Sequence, residues 1–179
     1  MSSPQATMHP TTNGYGSTSA AYDVGLLLLR VVLGLAMAAH GAQKLFGWFD
    51  GPGLTATGEA FSASGYPAGQ VMAVVAALSE TLGGLGLAVG LFTPLAAAAV
   101  VGVMINAIAV KWGGGFFSPK GIEFELLILT AAASLALTGP GRLAADHFLP
   151  VLRRHRLVHG LAAVALGVVT AVIVLLVRE

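Results

Sequence analysis

The sequence contains no cysteine among its 179 residues. The chain therefore cannot form a disulfide of its own, use a thiolate nucleophile or bind an iron–sulfur cluster through thiolates. If the protein takes part in redox chemistry, the electrons have to come from a carrier that belongs to another molecule.

Charged residues are scarce, at 9% of the chain against 56% hydrophobic residues, and the mean hydropathy is +0.83. A water-soluble domain carries about 25% charged residues. The formal net charge is only +1, and without a basic domain the chain lacks the electrostatic basis for binding nucleic acid. These shortages exclude a soluble domain and a nucleic-acid partner, and they indicate a protein whose partner is the lipid bilayer.

Small and aliphatic residues are abundant, including 24 glycines. Helices in a bilayer pack through small residues and tolerate glycine, and about 20 apolar residues are needed to span the hydrocarbon core. Five stretches approach that length: 22–46, 69–92, 94–112, 122–138 and 157–177. The sequence therefore predicts an all-α polytopic membrane bundle.

The segments outside these stretches set the expected topology. Residues 1–21 contain no charged side chain and little apolar surface, which is typical of a disordered tail. The loop 142–156 contains four arginines, and short loops rich in Lys and Arg stay in the cytoplasm. We therefore expect a cell-membrane protein whose N-terminus and loop 142–156 are cytoplasmic.

Two charged side chains lie deep inside predicted spans, Arg30 in the first and Glu80 in the second. At 1.5 Å per residue they lie about 12 and 16 Å from opposite membrane surfaces, and so at similar depth. A charge near the bilayer centre costs about 2.5–3.5 kcal/mol even on the mildest scale, and an arginine can pair with a carboxylate. We therefore expect an Arg30–Glu80 pair, which either only locks the two helices together or contributes to a site.

Several spans carry polar residues toward one membrane surface. His40 and Lys44 lie one helical turn apart near the end of the first span, Asn106 lies near the end of the third, and Glu123 opens the fourth. Glu125 is rotated by about 200° from Glu123 around the helix, so only one of the two points inward. We expect these polar ends to converge in a pocket below the surface.

Aromatic residues lie at the same level as this pocket. Phe46 and Trp48 follow His40 and Lys44 in the chain. One interpretation is the interfacial aromatic belt that membrane proteins share, and the other is the wall of a pocket that binds a ring.

Four segments, in this order, resemble the DoxX family: HGAQKLFGWF at 40–49, Glu80 ahead of Gly83-Gly84 and GLFTP at 90–94, GIE at 121–123, and TGPGR at 138–142. The resemblance implies a four-helix membrane core at 22–149. Residues 150–179, which hold part of the basic loop and a fifth span, depart from the family pattern. Family members are linked to membrane redox systems, including a subunit of a thiosulfate–quinone oxidoreductase, so the resemblance implies a redox subunit with a quinone as its cofactor.

A quinone site needs a flat apolar slot, hydrogen-bond donors for the carbonyl oxygens and a group that exchanges a proton. His40 suits the proton step because the unperturbed pKa of imidazole is about 6.5. The expected catalytic residues are His40, Lys44, Glu80 and Glu123, and the expected quinone-binding residues are Arg30, Phe46, Trp48 and Asn106.

Two other functions stay open at this point. The chain could be a non-catalytic anchor that recruits soluble redox enzymes through the basic loop and the fifth span. It could also be a small-solute transporter, since glycines interrupt the second span at Gly83 and Gly84. A homo-oligomer is compatible with each of these functions.

Histidines outside the pocket give little indication of a metal or haem. His155 and His159 lie one helical turn apart, but a third ligand is not evident, so we expect no metal site. Axial haem ligation takes two histidines, and only His40 lies well inside a span.

Overall fold

The computed structural model describes residues 14–117, 119–150, 152 and 155–179, with side chains from residue 19 onward. This part of the chain contains no strand, and its six α-helices are α1 Gly14–Phe46, α2 Gly53–Ala63, α3 Gly69–Val89, α4 Thr93–Lys111, α5 Glu123–Thr138 and α6 Leu157–Leu176. Two 3-10 turns lie at Trp112–Gly114 and Ala145–Phe148. The predicted all-α class is confirmed.

Within the described residues, four stretches are long and apolar enough to cross a bilayer: Ser19–Phe46, Gly69–Val89, Thr93–Gly114 and Leu157–Leu176. The predicted fourth span corresponds to α5, which has 16 residues and is shorter than the length of about 20 that a full crossing needs. α5 packs against α4 and α6. The protein is thus a multi-pass helical membrane bundle.

The first helix begins earlier than predicted. α1 starts at Gly14 rather than at Tyr22, so the predicted tail of residues 1–21 is helical from residue 14, while residues 1–13 lie outside the described residues. The last proline before this helix is Pro10, and no residue between 14 and 21 prevents a helix. Arg142 also contacts this segment, since its guanidinium donates to Asp23 Oδ2 at 2.7 Å and to the Ser19 hydroxyl.

The long helices alternate in direction, so their ends meet at two faces of the bundle. We call one end the α2 face: α1 and α4 end there, α3 and α5 begin there, and α2 lies across it. We call the other end the loop face, where α1 begins and the segment 139–156 lies. Arg153 and Arg154 of the predicted basic loop lie outside the described residues.

Glycine sets the distance between α1 and α3. A Cβ at Gly34 would overlap Gly84 O and would lie 2.5 Å from Ala88 N, and a Cβ at Gly41 would lie 2.6 Å from Thr81 N. Because these neighbours are backbone atoms, the two helices touch directly, as small residues permit in membrane bundles. This contact fixes the antiparallel register of α1 against α3.

The register shows that the expected Arg30–Glu80 pair is wrong. With Gly34 opposite Gly84, Arg30 lies level with Gly90, and a Cβ at Gly90 would overlap the Arg30 guanidinium. Glu80 instead lies level with the end of α1 at the α2 face and binds Lys44. Counting depth from each helix end misplaced the two residues, because α1 is longer than predicted and the glycine contacts decide the register.

Arg30 instead holds the loop face together. It is fully buried, and its Nη2 donates to Leu143 O at 2.6 Å. The nearby Asp146 carboxylate accepts the N–H groups of Phe92 at 2.7 Å and Thr93 at 2.9 Å, and so caps the start of α4. Arg30 therefore has a structural position far from the α2 face.

α6 is an integral part of the bundle. A Cβ at Gly167 would lie 2.7 Å from Ala98 O, and a Cβ at Gly160 would lie 2.9 Å from Leu137 Cα. α6 therefore packs on α4 and α5 through glycine, with the same type of contact that joins α1 to α3.

We expect Gly34→Ala to destabilise the protein by about 1–3 kcal/mol, because the added methyl meets backbone atoms that can move only together with α3. The measurement is the midpoint of unfolding in detergent, followed by circular dichroism. Gly25→Ala is the matched control, since nothing lies within 4 Å of a Cβ at Gly25 on the same helix. Equal midpoints for both variants would contradict the assigned register.

Candidate functional site

A cavity of about 820 Å³ lies at the α2 face, among all six helices. Its wall is mostly apolar, and its size falls within the range of about 300–1,000 Å³ that small-molecule sites occupy. The titratable and amide-bearing side chains in its wall are His40, Gln43, Lys44, Tyr66, Glu80, Asn106, Lys111 and Glu125. A cavity of this kind can hold an apolar ring and direct polar groups at its substituents.

One ion pair in the wall joins α1 to α3. Lys44 Nζ donates to Glu80 Oε2 at 2.6 Å, and the Glu80 side chain is only 3% exposed. Lys44 reaches inward from the end of its helix, as long lysine side chains can. The ammonium compensates the charge of a carboxylate that would otherwise be costly at this depth.

A second ion pair joins α4 to α5. Lys111 Nζ donates to Glu125 Oε1 at 2.6 Å, and the Glu125 side chain is 8% exposed. The other oxygen, Oε2, is buried and has no hydrogen-bond partner in the part of the chain that the structure describes. Two ammonium–carboxylate pairs thus lie in one wall, and the second is incompletely satisfied.

His40 lies in the wall with one nitrogen already engaged. Gln43 Nε2 donates to Phe49 O at 3.2 Å, which orients the amide so that Gln43 Oε1 lies 3.1 Å from His40 Nδ1. A carbonyl oxygen accepts, so this arrangement favours the hydrogen on Nδ1 and leaves Nε2 as the basic nitrogen. The edge of the ring meets Phe124 at a centroid distance of 5.5 Å.

Tyr66 closes the cavity between α2 and α3. Its hydroxyl donates to Asn106 Oδ1 at 3.1 Å, while Asn106 Nδ2 donates to Gly102 O at 3.0 Å. Burial raises the pKa of Tyr66, and the cationic Arg178 opposes this shift. Tyr66 therefore stays protonated at neutral pH and can keep donating to Asn106.

The end of α6 holds the segment that carries Tyr66. Arg178 Nε donates to Ser64 O at 2.7 Å, and Glu179 N donates to Gly65 O at 2.9 Å. The Arg178 guanidinium also lies 5.4 Å from the centre of the Tyr66 ring, within cation–π range. We call residues 64–66 together with Arg178 and Glu179 the α6 clamp.

The structure brings together half of the predicted site. His40, Lys44, Glu80 and Asn106 all line the cavity, although Asn106 is already bonded to Tyr66. They come from α1, α3 and α4, so the predicted convergence of distant polar residues at one surface agrees with the geometry.

The other predicted site residues lie elsewhere. Arg30 is at the loop face, and Glu123 is not among the described residues that line the cavity, because Glu125 takes the inward direction on α5. Phe46 and Trp48 are 59% and 58% exposed and contact each other at a centroid distance of 5.0 Å. The exposure of these two rings corresponds to the interfacial belt and not to a ring-binding wall.

Sequence reasoning missed three residues of the wall. The rotation between Glu123 and Glu125 showed that only one of them points inward. It did not show which one, because that depends on where Lys111 lies. Lys111 was recognisable only as a charge at the end of a span, and no signal in the sequence pointed to Tyr66. Among the described residues, no three His, Asp or Glu side chains are grouped to hold a metal ion.

Comparison with known proteins gives two matches. The family model for DoxX matches residues 25–112. The chain is 34% identical over 130 residues to a protein of Bacillus subtilis (strain 168) named "Putative oxidoreductase CatD", and the match covers 72% of this chain and 90% of that protein. No solved structure matches the chain significantly.

We expect Lys44→Met to destabilise the protein by about 3 kcal/mol, because the substitution leaves Glu80 charged and unpaired in a buried position. The double variant Lys44→Met/Glu80→Gln should recover most of this loss. The readout is unfolding in detergent.

Arg142→Met is the control for this substitution, because the Arg142 side chain is 60% exposed and its ion pair with Asp23 should contribute little. A Lys44→Met protein as stable as the wild type would contradict the assigned pair.

We expect Arg178→Ala to loosen the α6 clamp, because the substitution removes the bond to Ser64 O and the contact with Tyr66. A lost hydrogen bond of about 1 kcal/mol corresponds to a roughly fivefold increase in local opening. Amide hydrogen exchange of residues 64–66 measures it, and exchange at the loop face should not change. Unchanged exchange at 64–66 would show that the clamp does not hold this segment.

Proposed function

The chain belongs to the DoxX family and is a redox-related membrane protein, and we propose that it is a quinone-reactive subunit whose cavity at the α2 face binds the quinone. The presence of His40, Lys44 and Glu80 in the wall of one cavity supports this proposal. The name of the Bacillus relative also supports a role in oxidation and reduction.

One observation carries the proposal: a largely apolar cavity of about 820 Å³ has two ammonium groups and one imidazole in its wall. A quinone ring needs an apolar slot, and each of its two carbonyl oxygens needs a hydrogen-bond donor. An ammonium has three N–H donors, and the bond to a carboxylate uses one of them. Lys44 and Lys111 therefore both keep donors for a ring oxygen.

His40 is the residue that exchanges a proton with the bound ring. Its Nδ1 is directed at Gln43, so Nε2 is the nitrogen that can take or give the proton. The Lys44–Glu80 pair keeps the charges beside His40 balanced while the imidazole changes its protonation state.

The electrons come from a separate enzyme. The chain has no cysteine that could carry them, so we place a soluble redox enzyme at one membrane face as the partner. With the N-terminus in the cytoplasm, the cavity would open toward the outer leaflet of the cell membrane.

We expect His40→Ala to lower quinone-dependent turnover in membranes by about 10² or more, because a positioned acid–base group contributes that much. The protein should stay inserted at its normal level, which extraction and immunoblotting check. His159→Ala is the matched control, since His159 is exposed and lies in the first turn of α6 at the loop face. Wild-type turnover in His40→Ala membranes would contradict the assignment of His40.

A further inference from the structure

Glu125 is the carboxylate in the cavity wall whose hydrogen bonding is incomplete. The residue is 6% exposed and lines the cavity. Oε1 accepts from Lys111, whereas Oε2 is buried and accepts no hydrogen bond from any described residue. A buried carboxylate oxygen without a donor is unfavourable, and few such atoms occur in native structures.

The side chains around Glu125 do not supply the missing donor. Lys111 keeps spare donors, but in the structure it donates only to Oε1; His40 directs Nδ1 at Gln43, and the α5 neighbour Phe124 offers only a hydrocarbon ring. The last torsion of a glutamate side chain is broad, so the carboxylate can turn Oε2 toward the cavity when the Lys111 ammonium moves with Oε1. A donor that satisfies Oε2 can therefore come from a molecule in the cavity.

The type of donor follows from the chemistry of the ligand. A quinone carries only acceptor oxygens, and a second acceptor facing Oε2 would be repelled. The reduced ring carries hydroxyl groups, and each hydroxyl can donate to a carboxylate in a strong charge-assisted hydrogen bond. A site built to accept from a hydroxyl discriminates against an analogue that lacks it.

We infer that Glu125 is the residue that determines which redox form the cavity prefers: it accepts a hydrogen bond from a ring hydroxyl, so the reduced, hydroxylated ring binds more tightly than the quinone. This inference rests on the proposed function, because it assumes that the cavity binds such a ring. It concerns a binding equilibrium and assigns no electron or proton transfer to Glu125.

The test uses the full chain in lipid nanodiscs without oxygen. Three probes share one alkylated ring: the hydroquinone, its dimethyl ether, which cannot donate, and the benzoquinone, which is smaller than the ether. Isothermal titration calorimetry gives the dissociation constants. In the wild type we expect the hydroquinone to bind at least about tenfold tighter than either of the other probes.

Two variants weaken or remove the acceptor. Glu125→Gln removes the charge, and the double variant Lys111→Met/Glu125→Leu removes both members of the pair, so that no buried charge is left if Glu125→Gln folds poorly. Both should reduce the preference for the hydroquinone to about threefold or less. The matched control is Glu123→Gln, on the same helix but outside the described cavity wall, and it should keep the wild-type preference.

The outcomes separate this inference from the proposed function. If none of the probes binds to the wild type, the quinone cavity itself is refuted and the inference with it. If the wild type binds the ring but treats hydroquinone, ether and quinone alike, the inference is overturned while the proposed function stands. A preference that survives in both Glu125 variants would also overturn it, because another residue would then be the acceptor.

Discussion

The direct contact between α1 and α3 is the constraint on which the cavity depends. Gly34, Gly41 and Gly84 remove side chains from the interface, so the two helices meet backbone to backbone and can take only one register. That register brings Lys44 to Glu80 and keeps Arg30 at the opposite face. A shift of one helical turn would move the ammonium by about 5.4 Å and break the pair. The polar chemistry of the cavity is therefore positioned by residues that have no polar side chain.

The buried charges fall into two classes with different uses. At the loop face, Arg30 and Asp146 bind backbone atoms, Leu143 O for the first and the N–H groups that start α4 for the second, while Arg30 Nε and Nη1 have no hydrogen-bond partner among the described residues. At the α2 face, Lys44 and Lys111 each bind one carboxylate and keep donors to spare. The first arrangement fixes loops, whereas the second leaves hydrogen-bonding capacity in an apolar cavity. The α2 face, and not the loop face, is the candidate site because its spare donors line the cavity, whereas Arg30 does not.

The fifth span, which departs from the family pattern, packs on the core and lines its cavity. α6 packs on α4 and α5 through Gly160 and Gly167, and Thr170 and Val174 line the cavity. Its end binds the backbone of the segment that carries Tyr66. α6 thus completes the wall of the cavity and holds the segment that carries Tyr66. A segment that the sequence suggests for docking or anchoring is, in the folded protein, part of the site.

The sequence by itself determined the all-α membrane class, the approximate spans and the polar residues at the α2 face, because low charge, apolar length and small-residue content are properties of composition and spacing. It also pointed to His40, Lys44 and Asn106, which lie near the ends of antiparallel spans at one face, and to Glu80, which it placed deeper and beside Arg30. Only the tertiary structure decided that Glu80 pairs with Lys44 and not with Arg30, and that Glu125 and not Glu123 faces the cavity. These outcomes depend on the register and rotation of the helices. Glycine contacts and the reach of Lys111 set them between helices, and no property of a single segment encodes them.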